Sequence, residues 1–346
     1  MTMELLKRLS EVAGVPGREE TVRQIVLREL KPLADETKTD ILGNVIAMKK
    51  GRGGPKVMLA AHMDEIGFLV SHVDEKTGFL KIDPLGGFDP RVLMAKRVVV
   101  HTESGDLVGV MGSKPVHVLS EEERSKALEI KDLFIDLGLP GDKVRKRVQV
   151  GDFVTLRQDF VEMGDLVSGK ALDDRVGVYA MIEAFRRVKK HRADIYAVAT
   201  TQEEVGVRGA RVSGYGVSPD IGVALDVTVA SDVPGAQESD HVTKLGKGVA
   251  IKIKDSLSIS NPKLVRRLRQ VAEKRKIPYQ LEILPRGGTD AGAIQMAKEG
   301  VAVVTISIPT RYLHSVVECA HKKDIQATID LLVAFLEEAS EGDYAL

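Results

Sequence analysis

The stretch Ala197-Val198-Ala199-Thr200-Thr201-Gln202-Glu203-Glu204-Val205-Gly206 decides the fold of this chain. It begins inside an apolar run, residues 195–199, that is too short for an independent helix and rich in strand-forming residues. Two adjacent carboxylates and a glycine follow this predicted strand. Ligands of open α/β sheets bind at the carboxyl ends of the strands. Glu203 and Glu204 are therefore metal ligands, an acid/base pair or solvated loop charges, and other strands must decide among these alternatives.

Other predicted strands end in the same kind of residue. Residues 57–61 form an apolar run that ends in His62 and Asp64, and residues 221–225 form one that ends in Asp226. The strand predicted over 302–308 is followed by His314, and Asp173 directly precedes a predicted helix. Because the carboxyl ends of parallel strands meet at one edge of a sheet, these side chains are expected to gather there.

Composition sets the class of the protein. The 346 residues are 43% hydrophobic and 29% charged, as in a globular protein with a sizeable core, and their number suggests two domains or one domain with a large insertion. The zero net charge argues against a nucleic-acid binder. The single cysteine, Cys319, permits no internal disulfide. Residues 1–30 lack the apolar core of a signal peptide, and no window has the length of a transmembrane helix, so we expect a cytoplasmic protein.

The middle of the chain has a different sequence pattern. Between residues 68 and 162, short strand-like runs alternate with glycine and proline turns, as in a small β-barrel or sandwich, and a charged helix-like piece at 120–130 interrupts them. The α/β pattern resumes afterwards. We therefore predict an α/β domain with a mixed sheet, formed by residues 1–67 and 163–346, and a β-rich insertion formed by residues 68–162.

The clustered side chains predict a metal site. Imidazoles together with carboxylates suit Zn, Co or Mn, whereas Mg and Ca prefer oxygen alone. The lack of thiolates argues against a structural zinc site. Asp173 is placed to bridge two ions, with His62 and His314 each capping one of them. Glu204 and Asp226 would then complete the two ligand sets.

Two acidic residues remain for other roles. The spacing His62-x-Asp64 is typical of a carboxylate that fixes the ring tautomer of a metal-binding histidine. Glu203, without a metal to bind, lies where a general base belongs. The interpretation of the loop Gly287-Gly288-Thr289-Asp290 stays open between a tight turn, with Thr289 capping the next helix, and a substrate-facing loop. The remaining histidines are interpreted as structural or solvated: His72, His101, His117, His191, His241 and His321.

Seven motifs together resemble the M42 family of metallo-aminopeptidases, the tetrahedral TET aminopeptidases. The resemblance covers essentially the whole chain, and no metal or catalytic position departs from the family pattern. The motifs are His62-Met63-Asp64, Ala171-Leu172-Asp173-Asp174-Arg175, Gln202-Glu203-Glu204-Val205-Gly206, Ala224-Leu225-Asp226-Val227, Arg311-Tyr312-Leu313-His314-Ser315, Asp40-Ile41-Leu42-Gly43-Asn44 and Gly288-Thr289-Asp290-Ala291.

The resemblance implies a specific site and assembly. One ion would be bound by His62, Asp173 and Asp226, and the other by Asp173, Glu204 and His314. Glu203 would be the general base and Asp64 the partner of His62. The resemblance also implies two divalent ions per subunit, zinc or cobalt, and an insertion that serves as the dimerisation domain. Twelve subunits would form a hollow tetrahedral particle.

The expected activity is removal of N-terminal residues from short peptides by a cytoplasmic homo-oligomer that binds neither nucleic acid nor membrane. A carboxypeptidase or amide deacylase on a related dinuclear scaffold is the alternative enzyme, since Arg286 or Arg311 could hold a substrate carboxylate. A non-catalytic assembly protein is the alternative outside enzymes, but Glu203 beside a full ligand set argues against it. An endoglucanase is disfavoured because sugar hydrolysis normally uses a carboxylate pair without a metal.

Overall fold

The strand that leads to Glu203 and Glu204 lies inside an eleven-stranded mixed sheet, and a separate six-stranded barrel closes on itself. A computed structural model describes residues 3–346. The strands are β1 (Glu36–Thr39), β2 (Val45–Lys49), β3 (Lys56–His62), β4 (Gly67–Val73), β5 (Leu80–Leu85), β6 (Arg97–His101), β7 (Leu107–Gly112), β8 (Phe134–Asp136), β9 (Phe153–Leu156), β10 (Val161–Met163), β11 (Leu166–Gly169), β12 (Asp194–Thr200), β13 (Ile221–Val229), β14 (Val249–Lys254), β15 (Tyr279–Ile283), β16 (Ala302–Arg311) and β17 (Glu318–His321).

Helices cover both faces of the large sheet. They are α1 (Glu4–Glu11), α2 (Glu20–Leu30), α3 (Glu121–Ser125), α4 (Gly141–Val144), α5 (Leu172–Arg187), α6 (Arg208–Val217), α7 (Pro262–Arg275), α8 (Asp290–Gln295) and α9 (Lys322–Glu338). Helices α1, α2, α5, α7 and α9 share one apolar core with the sheet, and α6 and α8 form a second core on its opposite face. This cover explains why β3 is apolar along nearly its whole length.

The strand order places the predicted site at one edge of the sheet. The order is β1-β2-β12-β3-β13-β16-β17-β11-β10, with β14 on β16 and β15 on β14. The four central strands, β12, β3, β13 and β16, are mutually parallel. Their carboxyl ends therefore meet at the same edge, as the sequence predicted.

The barrel is formed by β4, β5, β8, β7, β6 and β9, so its strands extend from Gly67 to Leu156. It has its own apolar core, which includes Phe68, Leu80 and Ile135. Strand β10 pairs with β11 in the large sheet. The α/β fold with a mixed sheet and a small barrel is confirmed, whereas the division of the chain into domains at residues 67 and 163 stays a prediction.

Two local predictions were wrong. The helix expected over residues 120–130 is only α3, because this charged segment has no apolar face to bury and none of its helical residues is buried. The strand expected to end at Asp226 continues to Val229, since the β-branched residues that follow remain paired with β16. Across residues 3–346, no helix has both the length and the apolar character needed to cross a bilayer.

Candidate metal and catalytic site

The candidate ligands come from five places at the carboxyl edge of the parallel strands. His62 is the last residue of β3, and Glu204 lies in the turn that follows β12. Asp226 is part of β13, and Asp173 is in the irregular first turn of α5, where its backbone is not helical. His314 lies in the loop between β16 and β17. The fold thus brings residues that are far apart in sequence to one edge.

Asp173 lies between the two histidines. Its Oδ1 is 3.0 Å from Nε2 of His62, and its Oδ2 is 3.4 Å from Nε2 of His314. The same nitrogen of His314 is 3.8 Å from Oε1 of Glu204. One ligand atom from each of His62, Asp173 and Glu204 lies within 4.8 Å of the others, a separation that a metal ion could span. Each oxygen of Asp173 therefore faces one imidazole, as in a carboxylate shared by two ions.

The carboxyl groups of Asp226 and Glu203 also interact with this cluster of histidines and carboxylates. Burial raises the pKa of Asp226 well above its ordinary range, and the neighbouring charge of Asp173 adds to that rise. Burial likewise raises the pKa of Glu203, to which Asp226 and Asp290 contribute, while His62 opposes the rise. Both carboxyls thus lie close enough to the cluster to be influenced by it.

The electrostatics of the remaining ligands fit a bound cation. Burial and Asp173 raise the pKa of Glu204 to about 7. Despite the opposing effect of burial, hydrogen bonding to Asp173 and the charge of Glu204 raise the pKa of His314 to about 10. The pKa of Asp173 is held low by both histidines, although burial opposes this. Several carboxylates cluster here between two imidazoles. Divalent cations suit such a set of ligands, because they would neutralise the negative charge of the carboxylates.

The backbone is strained around these ligands. Ala171, Gln202, Tyr312 and His314 all adopt left-handed conformations, with φ of 54°, 56°, 61° and 58°. Side chains other than glycine rarely occupy this region, and it persists where the surrounding structure imposes it. Its concentration next to Asp173, Glu203 and His314 is typical of a functional site.

Asp64 contacts both His62 and the turn that follows β12. Nδ1 of His62 is 3.1 Å from the main-chain oxygen of Asp64 and 3.6 Å from its carboxylate oxygen Oδ1. The carboxylate also accepts hydrogen bonds from the main-chain N–H groups of Glu203 and Glu204, at 3.0 and 3.1 Å. Asp64 therefore ties the end of β3 to the turn after β12, and its backbone carbonyl is the nearer partner of the imidazole.

Several residues near the site escaped sequence analysis. The carboxylate of Glu318 accepts hydrogen bonds from the main-chain N–H groups of Asp173 and His314. The main-chain oxygen of Gly87, in the turn after β5, is 2.7 Å from Nδ1 of His314. Glu19 accepts the N–H group of Gln202, and burial raises its pKa to about 7. The local sequence gives no signal for these residues beyond the charge of the two glutamates and the flexibility of the glycine. Their partners lie far away in the chain.

The structure also limits the alternative interpretations. Arg311 forms a two-pronged ion pair with Asp232, at 2.7 and 2.8 Å, so its guanidinium already has a carboxylate partner. Thr289 caps α8 by accepting the N–H group of Ala291, and Asp290 accepts a hydrogen bond from the hydroxyl of Thr200. The loop at 287–290 is therefore a capped turn whose last carboxylate lies close enough to influence Glu203.

Comparisons with known proteins agree with this geometry. Residues 43–331 match the family model described as M42 glutamyl aminopeptidase. A lysyl aminopeptidase of Pyrococcus furiosus is 41% identical over 350 residues, which cover 99% of this chain and 98% of the relative.

Two solved structures extend the similarity to the fold. An aminopeptidase from the archaeon Desulfurococcus kamchatkensis superposes with a TM-score of 0.94 and 43% identity, covering 99% of this chain and 98% of the other. A TET1 peptidase of Pyrococcus horikoshii, described as able to assemble into a tetrahedron or a large octahedral shell, gives a TM-score of 0.86 at 34% identity and covers 97% and 99%. The barrel and the large sheet are thus shared with aminopeptidases over nearly the whole chain.

Proposed function

Since this chain belongs to the M42 family of peptidases, we propose that it removes N-terminal residues from short peptides with two divalent metal ions per subunit. The chain is an aminopeptidase, because the relatives that it matches along nearly their whole length are aminopeptidases. The family is metal-dependent, and the histidine–carboxylate cluster is the candidate site for the metal. The number and identity of the ions, the mechanism and the substrates are the proposed part.

One observation carries the dinuclear proposal. Asp173 presents one oxygen to His62 and the other to His314. We propose that one divalent ion would be held by Asp173, His62 and Asp226 and a second by Asp173, Glu204 and His314. The donors, two imidazoles and three carboxylates, suit zinc or cobalt better than magnesium or calcium.

The remaining residues perform the proton chemistry. Bound divalent ions supply a Lewis acid that polarises the scissile carbonyl and makes water acidic. Glu203 is partly buried, and it would accept a proton from the attacking water and then deliver that proton to the leaving amine. The carboxylate of Asp64 accepts a hydrogen bond from the main-chain N–H group of Glu203, at 3.0 Å, and so keeps the base in place.

The acidic pocket also suits the free α-amine of a peptide substrate. A carboxypeptidase or amide deacylase would instead need a free cation to hold a carboxylate, and the guanidinium of Arg311 is already paired with Asp232. This pairing argues against Arg311 in that role and leaves Arg286 as the other arginine that the alternative would use. The side chain preferred at the substrate's N-terminus is left to experiment, because the names of the relatives include both lysyl and glutamyl aminopeptidases.

The assembly is proposed to follow that of the relatives. The Pyrococcus horikoshii peptidase is described as a tetrahedron or a large octahedral shell. We propose that this chain forms a tetrahedral dodecamer in the cytoplasm, with the barrel as its dimerisation domain. A hollow particle of this kind would admit short peptides and exclude folded proteins.

The test compares an amino-acid p-nitroanilide with its N-acetylated form on protein treated with a strong chelator and then reloaded with Zn or Co. We expect chelation to abolish hydrolysis, each ion to restore it, and acetylation of the substrate to prevent it. Equal turnover of the acetylated substrate would favour the deacylase alternative. Full activity in protein that elemental analysis shows to be free of transition metals would contradict the metal-dependent mechanism.

A further inference from the structure

Glu318 links the main chains of two candidate metal ligands. Its Oε2 accepts the N–H group of Asp173 at 3.0 Å, and its Oε1 accepts the N–H group of His314 at 2.9 Å. Glu318 is the first residue of β17 and is only 2% exposed. A single buried carboxylate therefore spans the gap between the start of α5 and the loop after β16.

This link joins segments that are far apart in the chain. Asp173 and Glu318 are separated by 145 residues, and Asp173 follows Ala171, which has a left-handed backbone. His314 also has a left-handed backbone, and its loop is not part of a helix or strand. The distance between these two ligands is thus sensitive to any group that binds both of their main chains.

The chemistry of the link requires a carboxylate. Two N–H groups that converge on one side chain need two acceptor oxygens in a planar fork, which ionised glutamate has and glutamine lacks. A glutamine at this position would turn its NH₂ group toward one of the two main-chain N–H groups and leave that group without an acceptor.

We propose that Glu318 is a positioning residue that sets the distance between Asp173 and His314, and thereby the affinity for the ion bound between them. This inference rests on the proposed dinuclear site. It assigns no contact between Glu318 and the ion itself. Removal of the link should therefore weaken the ion held by Asp173 and His314 more than the other ion, because the other ion shares only Asp173 with it and also has His62 and Asp226 as ligands.

The test is a metal titration of the Glu318→Gln variant. Metal-stripped protein is titrated with Co²⁺, and binding is followed by calorimetry and by the visible absorption of bound cobalt. We expect the affinity for one of the two ions to fall about 10- to 100-fold, the usual cost of losing a residue that orients a ligand. The affinity for the other ion should change less than about threefold, within the context-dependent scatter of such measurements.

A matched control separates positioning from general stability. Glu338→Gln removes another buried carboxylate, 6% exposed, that pairs with Arg267, Lys274 and Arg275 at the end of α9. This variant should lose thermal stability but bind both cobalt ions as the unaltered protein does. Wild-type affinity for both ions in Glu318→Gln, or equal weakening of both, would overturn the proposal.

Glu318→Asp decides the question if the glutamine variant does not fold. It keeps both oxygens but shortens their reach by one methylene, so the same ion should bind more weakly, by a smaller factor. Unchanged binding of both ions in this variant would also overturn the proposal. Failure of the unaltered protein to bind two ions would instead contradict the proposed function, whatever the variants do.

Discussion

At the residue scale, Glu203 and Glu204 show how neighbours of the same type can differ in role. Glu204 lies 3.8 Å from Nε2 of His314, on the side of the cluster that the histidine and Asp173 form. Glu203 is partly buried, and the charges of Asp226 and Asp290 act on it. The turn after β12 therefore gives the two carboxylates different neighbours, which supports the separate roles proposed for them.

Replacement of each glutamate by glutamine should separate these roles. Glu203→Gln preserves size but removes the basic oxygen, so turnover should fall by roughly 10² to 10⁴ while both ions remain bound. Glu204→Gln should instead weaken metal binding, and added metal should recover part of the activity. Metal content measured against turnover distinguishes the two variants. Loss of metal from Glu203→Gln with retention by Glu204→Gln would reverse the assignment.

At the element scale, the turn that follows β5 connects the barrel to the candidate site. Gly86 has φ of 91°, and a Cβ placed there would lie 3.2 Å from Oε2 of Glu204 and 2.5 Å from a methyl of Ile66. The adjacent Gly87 supplies the carbonyl that faces the ring of His314. The barrel thus contributes backbone to the candidate metal site, as well as a separate domain core.

Gly86→Ala should therefore impair the site more than it impairs the barrel. We expect kcat/KM to fall about tenfold or more, since orienting groups around metal ligands typically have effects of that size. Gly105→Ala is the matched control: its φ is 106°, and a Cβ there would meet nothing within 4 Å. Gly105→Ala should lose about 1 kcal/mol of stability from backbone strain, and Gly86→Ala should lose more, because its Cβ must also displace the methyl of Ile66. Equal activity of the two variants would contradict a role for this turn in the site.

The end of α9 gives a prediction about pH. Glu338 is buried and accepts hydrogen bonds from Lys274 and Arg275, which hold its pKa below the ordinary value although burial opposes them. Because the folded carboxyl binds its proton less readily than the unfolded one, this stabilisation is complete above the ordinary pKa of about 4.3 and is lost as the pH falls through the lower folded value.

Glu338→Gln should accordingly lower stability at pH 7 by about 1 to 3 kcal/mol, the usual value for hydrogen bonds to charged groups. The difference from the unaltered protein should shrink as the pH falls below about 4. Urea unfolding at several pH values measures this difference. Glu337→Gln, at a partly exposed position 3.9 Å from Arg275, should cost less than about 0.5 kcal/mol at every pH. A difference for Glu338→Gln that does not vary with pH would exclude this ionic contribution.

At the scale of the whole molecule, the outer face of the barrel carries exposed apolar side chains. Val108 and Val110 project from β7 and are 52% and 48% exposed, and Val116 and Val118 are exposed in the segment that follows. Large apolar side chains exposed in this way are common at interfaces between subunits. It supports the proposed role of the barrel in dimerisation.

We expect the native protein to elute from a sizing column far above 37.7 kDa, as a dodecamer. The double substitution Val108→Glu and Val110→Glu places charges on the outer face of β7 and should produce a smaller species, because buried unpaired charges oppose association. Light scattering gives the mass of both forms. A monomeric native protein over a range of concentrations and salt would contradict the assembly, and an unaltered mass of the variant would exclude β7 from the interface.

The sequence by itself determined the α/β class, the presence of a β-rich insertion and the kinds of residue at the site. It could do so because strand runs and the acidic or histidine residues beside them are local patterns. Only the tertiary structure decided which of these residues meet, since contacts such as that of Glu318 with Asp173, 145 residues away, leave no mark in local spacing.

Tertiary pairing also decided that β13 continues past Asp226, and it brought Gly87 of the barrel to His314. A strand ends where its neighbours stop pairing with it, and a backbone carbonyl carries no signal in its residue type. The sequence therefore predicts the types of ligand residue. The orientation of these side chains depends on partners that only folding brings together.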